Sequence, residues 1–187
     1  MLRTVDLGID ARRAVSDAQI AAIKYWRTTG NDPDVEIART EARRLVRAIA
    51  DHDQQLRENH YTLSKIVERI APGLQDTPGI GPVTGAVIVC AYSHPGRIRF
   101  EAAFAALAGV APKPASSGPQ LNRGGIRQLN RAFETIVRVR LSYDPDTRAY
   151  AARTRVDGKS AREIRRKLKR YVCRVVFRQL ETIMDGA

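Results

Sequence analysis

Residues 77–89 read Thr-Pro-Gly-Ile-Gly-Pro-Val-Thr-Gly-Ala-Val-Ile-Val, and the rest of the chain is organised around this stretch. Gly79 and Gly81 flank one apolar residue, Ile80, and both can adopt φ values that are closed to other residues. Pro82 suits the first turn of a helix, because an N–H at that position would have no intrahelical partner. The stretch therefore predicts a tight hairpin between two helices, with Ile80 in the core. A turn that serves packing alone is the alternative.

The backbone amides of this hairpin indicate what it can bind. At the start of the following helix they point outward, where a phosphate group can dock. The pattern resembles the helix-hairpin-helix motif, which binds the nucleic-acid backbone without reading its sequence. Gly79, Ile80, Gly81 and Thr84 are therefore candidate nucleic-acid contacts.

Charge points to the same class of partner. The chain has 187 residues, a formal net charge of +12 and a pI of about 10.4, which suits a polyanion. Residues 119–187 contain 17 Lys/Arg against 7 Asp/Glu, whereas residues 1–118 contain 15 against 13. The basic character therefore belongs almost entirely to the last third of the chain. A nucleic acid, with DNA as the partner proposed for the hairpin, fits this charge.

Cysteine usage and hydropathy indicate the compartment. Cys90 and Cys173 lie far apart in apolar runs without metal-ligand spacing, so we expect both to be small buried hydrophobes of a reducing, cytoplasmic protein. The N-terminus shows no signal-peptide pattern, and the longest apolar run, Ala86–Tyr92, is too short to span a bilayer. We predict no metal site in this chain and no membrane partner.

Residues 1–71 are predicted to form a helical, coiled-coil-like segment. Ser16 and Gln19 have the spacing of a capping box at the start of a first helix. Apolar residues at helical spacing then predict one long helix from about Asp34 to Ile70, roughly 55 Å at about 1.5 Å per residue. Such a helix requires a partner for its apolar face, either the first helix folded back or a second copy in a homo-oligomer. Two shorter helices broken near residues 52–59 are the alternative.

Residues 72–187 are predicted to form a compact helical domain that contains the hairpin. Gly, Pro and Asp punctuation divides this region, and no strand-like alternation occurs in it. We expect helices over Phe100–Leu107, Ile126–Tyr143, Thr147–Val156 and Ala161–Met184. The predicted fold class is all-α.

Two basic helices extend the candidate interface. Arginines four residues apart share one helix face and can contact successive phosphates, although charged runs often only solvate a helix. The candidate nucleic-acid contacts here are Arg123, Arg127, Arg131, Arg165, Arg166 and Lys169.

The order of motifs along residues 72–183 resembles that of a known family. The matching residues are Pro78-Gly79-Ile80-Gly81, Phe100 and Phe104 to Val110, Pro112, Ser117-Gly118, Arg123-Gly124-Gly125 and Arg131-Ala132. In order and spacing they resemble the C-terminal transposase domain of the insertion-sequence 110 (and 116/902) transposases, the RNA-guided serine recombinases of bacterial mobile elements. The helices before this region resemble that family's linker coiled coil.

The resemblance implies a serine nucleophile. Members of the family cut and rejoin DNA through a phosphoserine link, and the matching position here is Ser117, with Ser116 as a minor alternative. It also implies a guide RNA and a RuvC-like nuclease domain whose four acidic residues bind magnesium. Nothing before Ser16 provides such a fold, so the resemblance implies a truncated copy or the C-terminal piece of a split element. Only two residues separate Gly118 from Leu121, where relatives commonly have a longer basic segment.

Three functional hypotheses follow. The first is the C-terminal portion of a transposase, which binds DNA and contributes Ser117 to strand cleavage and rejoining. The second is a non-catalytic nucleic-acid-binding remnant, and the third is a dimerisation piece built on the long helix. A tyrosine recombinase is not favoured, because no arginine and histidine set surrounds Tyr143, Tyr150 or Tyr171.

Overall fold

The computed structural model describes residues 8, 14–27, 32–113, 120–121 and 125–185 of the chain. Contacts divide it into two units, Met1–Asn59 and His60–Ala187. The described part contains seven α-helices: α1 (Asp17–Ile23), α2 (Pro33–Ile70), α3 (Pro82–Tyr92), α4 (Glu101–Leu107), α5 (Arg127–Tyr143), α6 (Pro145–Val156) and α7 (Ala161–Asp185). The predicted all-α class and the long N-terminal helix are confirmed. The predicted boundary between residues 71 and 72 stays a prediction, since the division by contacts falls inside α2.

The first unit consists of α1 and most of α2. The capping box is present at the start of α1, where Ser16 N–H donates to Gln19 Oε1 at 2.9 Å and Gln19 N–H donates to Ser16 Oγ at 3.4 Å. Helix α2 is continuous over 38 residues, as predicted, rather than broken in the middle. Its exposed apolar residues in this unit are Ile37, Leu45, Ile49 and Leu56.

The second unit has one core, in which α5 and α7 are the central helices. Both are amphipathic, and their apolar sides face each other and the apolar helices α3 and α4. Four aromatic rings, those of Tyr92, Phe104, Phe133 and Phe177, contact one another with centroids 5.7 to 6.4 Å apart. Each such pair contributes about 0.5–1.5 kcal/mol beyond its buried area. A few aromatic residues therefore fix the packing of a mainly aliphatic core.

Three details differ from the expectations or go beyond them. Cys90 is exposed, so its predicted burial is wrong, whereas Cys173 is buried and its burial raises the pKa of its thiol to about 12. The hairpin is preceded by a three-residue 3-10 turn, Leu74–Asp76, rather than by an α-helix, and the helix-hairpin-helix motif therefore stays a prediction. Pro112–Lys113 and Gln120–Leu121 form a two-residue antiparallel ladder, β1 and β2, that the sequence pattern did not indicate.

Candidate nucleic-acid interface

The hairpin before α3 lies directly on the backbone of α5. Gly79 has a φ of 85°, and a Cβ atom at this position would lie 2.9 Å from the carbonyl oxygen of Ile136 and 3.2 Å from Cγ of Arg140. The residue is therefore required to be glycine for two reasons, its left-handed conformation and the close approach of two backbones. Ile80, next to it, is 5% exposed and anchors the turn in the core, as predicted.

Helix α3 begins at this hairpin with a cap made by its own threonine. Gly81 N–H donates to Thr84 Oγ1 at 2.9 Å, and the same hydroxyl donates to Gly81 O at 3.0 Å. Pro82 occupies the first helical position, where it has no N–H to leave unpaired. The N–H groups of Val83 and Thr84 belong to the first turn, in which an α-helix offers no backbone acceptor. These two amides, together with the positive end of the helix dipole, are what the hairpin can offer to an anion.

This arrangement changes the expected roles of two candidate residues. The hydroxyl of Thr84 is used in the cap, so its backbone N–H is the group that remains available. The side chain of Ile80 is buried and can contribute to binding only by holding the turn in place.

Helix α7 holds the segment that leads into the hairpin. The side chain of Gln179 accepts a hydrogen bond from Thr77 Oγ1 at 2.8 Å and donates one to the carbonyl oxygen of Gly73 at 3.0 Å. One side chain thus bridges both ends of the 3-10 turn. The hairpin is fixed by α5 on one side and by α7 on the other, which limits the movement of its amides.

Below the hairpin, a polar cluster joins α5 to α6. Asp144 caps α6, and its carboxylate accepts hydrogen bonds from Thr147 Oγ1, from Thr147 N–H at 3.2 Å and from the Arg140 guanidinium at 3.2 and 3.3 Å. The side chains of Arg140 and Asp144 are 13% and 14% exposed. The hydrogen bond from the Thr147 hydroxyl is the largest cause that lowers the pKa of Asp144 below its usual value, and the Arg140 guanidinium lowers it further. The guanidinium of Arg140, whose Cγ lies beside Gly79, is therefore engaged inside the protein.

The exposed side of α5 carries arginines. Arg127 and Arg131 are both exposed, and their spacing of four residues places them on one face, as predicted. Arg138 is also exposed and lies seven residues after Arg131, two turns further along the same face. The sequence analysis missed Arg138, although its spacing from Arg131 was a usable signal. We call Arg127, Arg131 and Arg138 the arginine stripe; it extends about 16 Å along the helix.

The candidate nucleophile Ser117, its alternative Ser116 and the candidate contact Arg123 lie outside the described residues. The structure describes the residues on either side of them, at β1, at β2 and from Gly125 onward. Strands β1 and β2 pair with Pro112 opposite Leu121, so six residues connect the two strands.

Backbone contacts close the base of this connection. Ile126 N–H donates to the carbonyl oxygen of Leu107 at 2.8 Å. A Cβ atom on Gly125 would lie 2.5 Å from the backbone nitrogen of Gly109, so the two glycines touch through their backbones. Gly125, one of the residues that carry the family resemblance, thus provides a close approach of two backbones.

A buried polar network supports the same base from below. Asn130 donates to the carbonyl oxygens of Ala108 at 2.8 Å and Gly109 at 3.2 Å, where α4 ends. Its Oδ1 accepts from Lys169 Nζ at 3.4 Å, and that ammonium also pairs with Glu134 at 3.0 Å. The network joins the end of α4, the first turns of α5 and the middle of α7. Sequence reasoning gave no sign of Asn130.

The candidates on α7 divide into two kinds. The side chain of Lys169 is 11% exposed and belongs to this internal network, so the structure places it inside rather than on the surface. Arg165 is exposed and Arg166 is partly exposed, one turn earlier on the helix. Of the three predicted contacts on α7, these two arginines are the ones accessible to a partner.

Neither metal ligands nor membrane spans were found in the described ranges. No three His, Cys, Asp or Glu side chains among residues 8, 14–27, 32–113, 120–121 and 125–185 lie together as a metal site. Within the same ranges, every helix is too short or too polar to cross a bilayer.

Comparison with known proteins places this interface in a family context. Residues 71–152 match the family model described as Transposase IS116/IS110/IS902 family. The chain is also similar to the insertion element IS110 uncharacterized 43.6 kDa protein of Streptomyces coelicolor (strain ATCC BAA-471 / A3(2) / M145), with 33% identity over 116 residues. The alignment covers 59% of this chain and 29% of the relative. The matched segment begins where α2 ends and contains the hairpin, β1, β2, α5 and most of α6.

Proposed function

We propose, from the premise that residues 71–152 carry a transposase domain of the IS116/IS110/IS902 family, that this chain is the DNA-binding C-terminal portion of a cytoplasmic transposase. Its hairpin and arginine stripe would hold the DNA backbone, and Ser117 would act as the nucleophile in strand cleavage and rejoining. The chain spans 29% of the length of the curated relative, so the activity proposed here concerns this domain within a larger reaction.

The hairpin is the observation that carries the DNA-binding part of this proposal. Its turn is locked to α5 by a glycine contact and to α7 by Gln179, and it ends in the exposed first turn of α3. Val83 and Thr84 N–H donate to no acceptor among the described residues, and two such amides held in a fixed position can bind phosphate without reading sequence. The side chain of Val83 is 57% exposed, which leaves access to this turn open.

Duplex binding tests this part of the proposal. Labelled duplex DNA is titrated with the full chain and fluorescence anisotropy is measured across a range of salt concentrations. The logarithm of affinity should fall with the logarithm of salt by about 0.9 for each phosphate that is neutralised. The double variant Arg127→Gln/Arg131→Gln should bind less tightly and reduce this slope by about 2. The matched control is Arg47→Gln, an exposed arginine on α2 of the other unit.

An unchanged salt dependence of affinity in the Arg127→Gln/Arg131→Gln variant would show that the arginine stripe is not part of the interface. A flat salt response of the wild-type chain would refute DNA binding as a whole.

The catalytic part of the proposal concerns Ser117. The Ser117 hydroxyl would give up its proton as its Oγ bonds to a backbone phosphorus. The bond from that phosphorus to a deoxyribose oxygen would break, and this oxygen would take up a proton and leave as an alcohol. A hydroxyl of a second strand would then displace the serine and rejoin the backbone. A serine hydroxyl is a weak nucleophile at neutral pH and requires a base or strong electrostatic help. The support for this step is the sequence resemblance and the family match.

Trapping of a covalent adduct tests the serine. Nicked and duplex DNA are incubated with magnesium, the chain and a full-length relative, and adducts are separated under denaturing conditions. We expect an adduct that is lost in Ser117→Ala and retained in Ser116→Ala. If no adduct depends on Ser117 while duplex binding persists, the chain is a non-catalytic nucleic-acid-binding protein. That second function rests on the hairpin and the stripe alone.

The exposed apolar face of α2 supports a second copy as partner. Ile37 is 55% and Leu56 is 64% exposed, and Leu45 and Ile49 lie between them on the helix with more than two fifths of their surface open. Pairing with a second copy would cover these residues in the manner of a coiled coil. Leu56→Asp should lower the molar mass measured by light scattering, and Gln55→Asp on the same turn should not. A wild-type monomer would contradict this part of the proposal.

Recognition of a guide RNA is the remaining element of the family resemblance. We assign Arg165, which is exposed, and Arg166, which is partly exposed, to this RNA or to target DNA. Competition between a structured RNA and duplex DNA for the chain, with and without Arg165→Gln/Arg166→Gln, would separate the two.

A further inference from the structure

One side of α7 combines an exposed aromatic ring with basic side chains. Tyr171 is 55% exposed. Lys167 lies one turn before it, Arg174 and Arg178 lie one and two turns after it, and Arg170 is adjacent. We call these five residues the tyrosine face.

The tyrosine face keeps a positive surplus after its internal pairs are counted. Arg174 Nε donates to Glu101 at 2.7 Å, and Arg178 lies 3.6 Å from the same carboxylate. The nearby Glu163 accepts hydrogen bonds from the N–H and hydroxyl groups of Ser160. Two glutamates thus stand against four Lys and Arg side chains, and Lys167 and Arg170 have no carboxylate partner within 4 Å in the described part of the chain.

Two other exposed tyrosines of this unit lie in different settings. Tyr61 is 62% exposed on α2, and Lys65 Nζ lies 4.4 Å from the centre of its ring. Tyr143 is 82% exposed at the end of α5, where Asp144 and Asp146 follow it directly. Asp144 is paired with Arg140, but the exposed carboxylate of Asp146 disfavours a nucleic acid here, so exposure of a ring alone does not mark a binding site. The basic side chains around Tyr171 are what distinguishes it from Tyr143.

We propose that the tyrosine face binds single-stranded nucleic acid, with the ring of Tyr171 stacked on an unpaired base and with Lys167 and Arg170 on the adjoining phosphates. Stacking requires a base whose flat side is free, which a duplex does not offer along its length. The ring of Tyr171 lies about 120° around the helix from Arg165 and about 140° from Arg166, although Arg170 lies one turn after Arg166. None of the five residues of the tyrosine face belongs to the hairpin or to the arginine stripe. The proposal therefore does not depend on the hairpin, the arginine stripe or Ser117.

Binding of oligonucleotides of equal charge tests the proposal. The full chain is titrated with labelled 12-nucleotide oligothymidylate, with the ribonucleotide oligomer of the same length, with an abasic 12-nucleotide strand, and with duplex DNA. The variants are Tyr171→Ala and Tyr171→Phe, and the matched control is Tyr143→Ala. Circular dichroism of each variant checks that the helices are retained.

The wild-type chain should bind the base-containing strands more tightly than the abasic strand. Tyr171→Ala should weaken binding of the base-containing strands about 5- to 150-fold and abolish that preference, while changing duplex and abasic binding less than about two-fold. Tyr171→Phe, which retains the ring, and Tyr143→Ala should bind as the wild type does. The DNA and RNA arms then show which kind of single strand is preferred.

Two results would overturn the proposal. Equal affinity of the wild-type chain for the base-containing and abasic strands would show that no base is stacked. Equal losses of single-strand and duplex binding in Tyr171→Ala would show that the residue acts through the backbone contacts or the fold. Loss of duplex binding in the arginine-stripe variant bears only on the proposed DNA-binding function, so the two failures can be distinguished.

Discussion

Gly79→Ala tests whether the hairpin depends on a backbone-to-backbone contact. The residue has a φ of 85°, which costs a non-glycine residue about 1–2 kcal/mol. Its new methyl group would also lie 2.9 Å from a backbone oxygen of α5, which cannot move aside like the end of a side chain. Overpacking of this kind costs about 1–3 kcal/mol. We therefore expect a total loss of about 2–5 kcal/mol.

Two other glycines separate these contributions. Gly96 has a φ of 80° but open space around it, so Gly96→Ala should lose only the conformational part, about 1–2 kcal/mol. Gly81 has an extended backbone and no atom within 4 Å of a Cβ, so Gly81→Ala should lose at most about 1 kcal/mol through a weaker N-cap. The expected order of destabilisation is Gly79→Ala, Gly96→Ala, Gly81→Ala.

Thermal unfolding followed by circular dichroism measures this order. For a unit of this size, about 1 kcal/mol corresponds to about 4 °C in Tm, so Gly79→Ala should lower Tm by about 8–20 °C. Duplex binding at a temperature where the variant is still folded should also weaken, because α3 begins at this contact. If Gly79→Ala costs no more than Gly96→Ala, the close approach to α5 does not exist in solution and the reasoning is refuted.

Three further predictions concern polar groups of the second unit. Asp144→Asn keeps a capping side chain but removes its charge. Because folding lowers the pKa of Asp144, the wild type should be more stable than the variant above the ordinary Asp pKa of about 3.9, and this difference in stability should disappear as pH falls through the lower folded-state pKa. Urea unfolding at several pH values measures the difference. An advantage that grew on acidification would contradict the assigned sign. Lys169→Met should cost about 1–2 kcal/mol, because it removes a mostly buried ammonium that pairs with the partly exposed Glu134 and donates to Asn130. Lys167→Met, at an exposed position, should stay within about 0.5 kcal/mol. Equal values from chemical denaturation would place Lys169 on the surface. Gln179→Ala leaves Thr77 and Gly73 without this hydrogen-bond partner, so it should cost about 1–2 kcal/mol in the same assay. It should also weaken duplex binding. A loss of stability without any loss of binding would show that this side chain is not needed for the hairpin to bind DNA.

The helix positions were predictable because the chain marks them locally. Ser16 and Gln19 form the predicted capping box, and Pro82 stands at the first position of α3 as expected. Proline, glycine and aspartate between the later helices removed most ambiguity about where each one ends. These signals act over three or four residues, a range that sequence reasoning can read.

The side chains that needed tertiary information were harder to predict. Helix α3 is apolar on nearly every side, so its sequence does not tell which residue faces solvent, and Cys90 was wrongly expected to be buried. Lys169 stands in a dense basic run, yet packing of α7 on α5 turns it towards Glu134. Asn130 is one polar residue in an amphipathic helix, and its role appears only when the end of α4 lies beside it. The types of residue in the candidate interface were thus predictable from sequence. Which of its Lys and Arg side chains are accessible and which are internal depends on how the helices pack.

The contact between Gly109 and Gly125 has a practical consequence for protein engineering. Two points of the chain that are sixteen residues apart touch through their backbones, and the hydrogen bond from Ile126 to Leu107 holds them beside each other. The ends of the connection are therefore fixed by the core, whatever lies between them. Each doubling of a flexible connection costs only about 0.6 kcal/mol. A peptide tag or a small reporter domain inserted between β1 and β2 should therefore leave the helices folded.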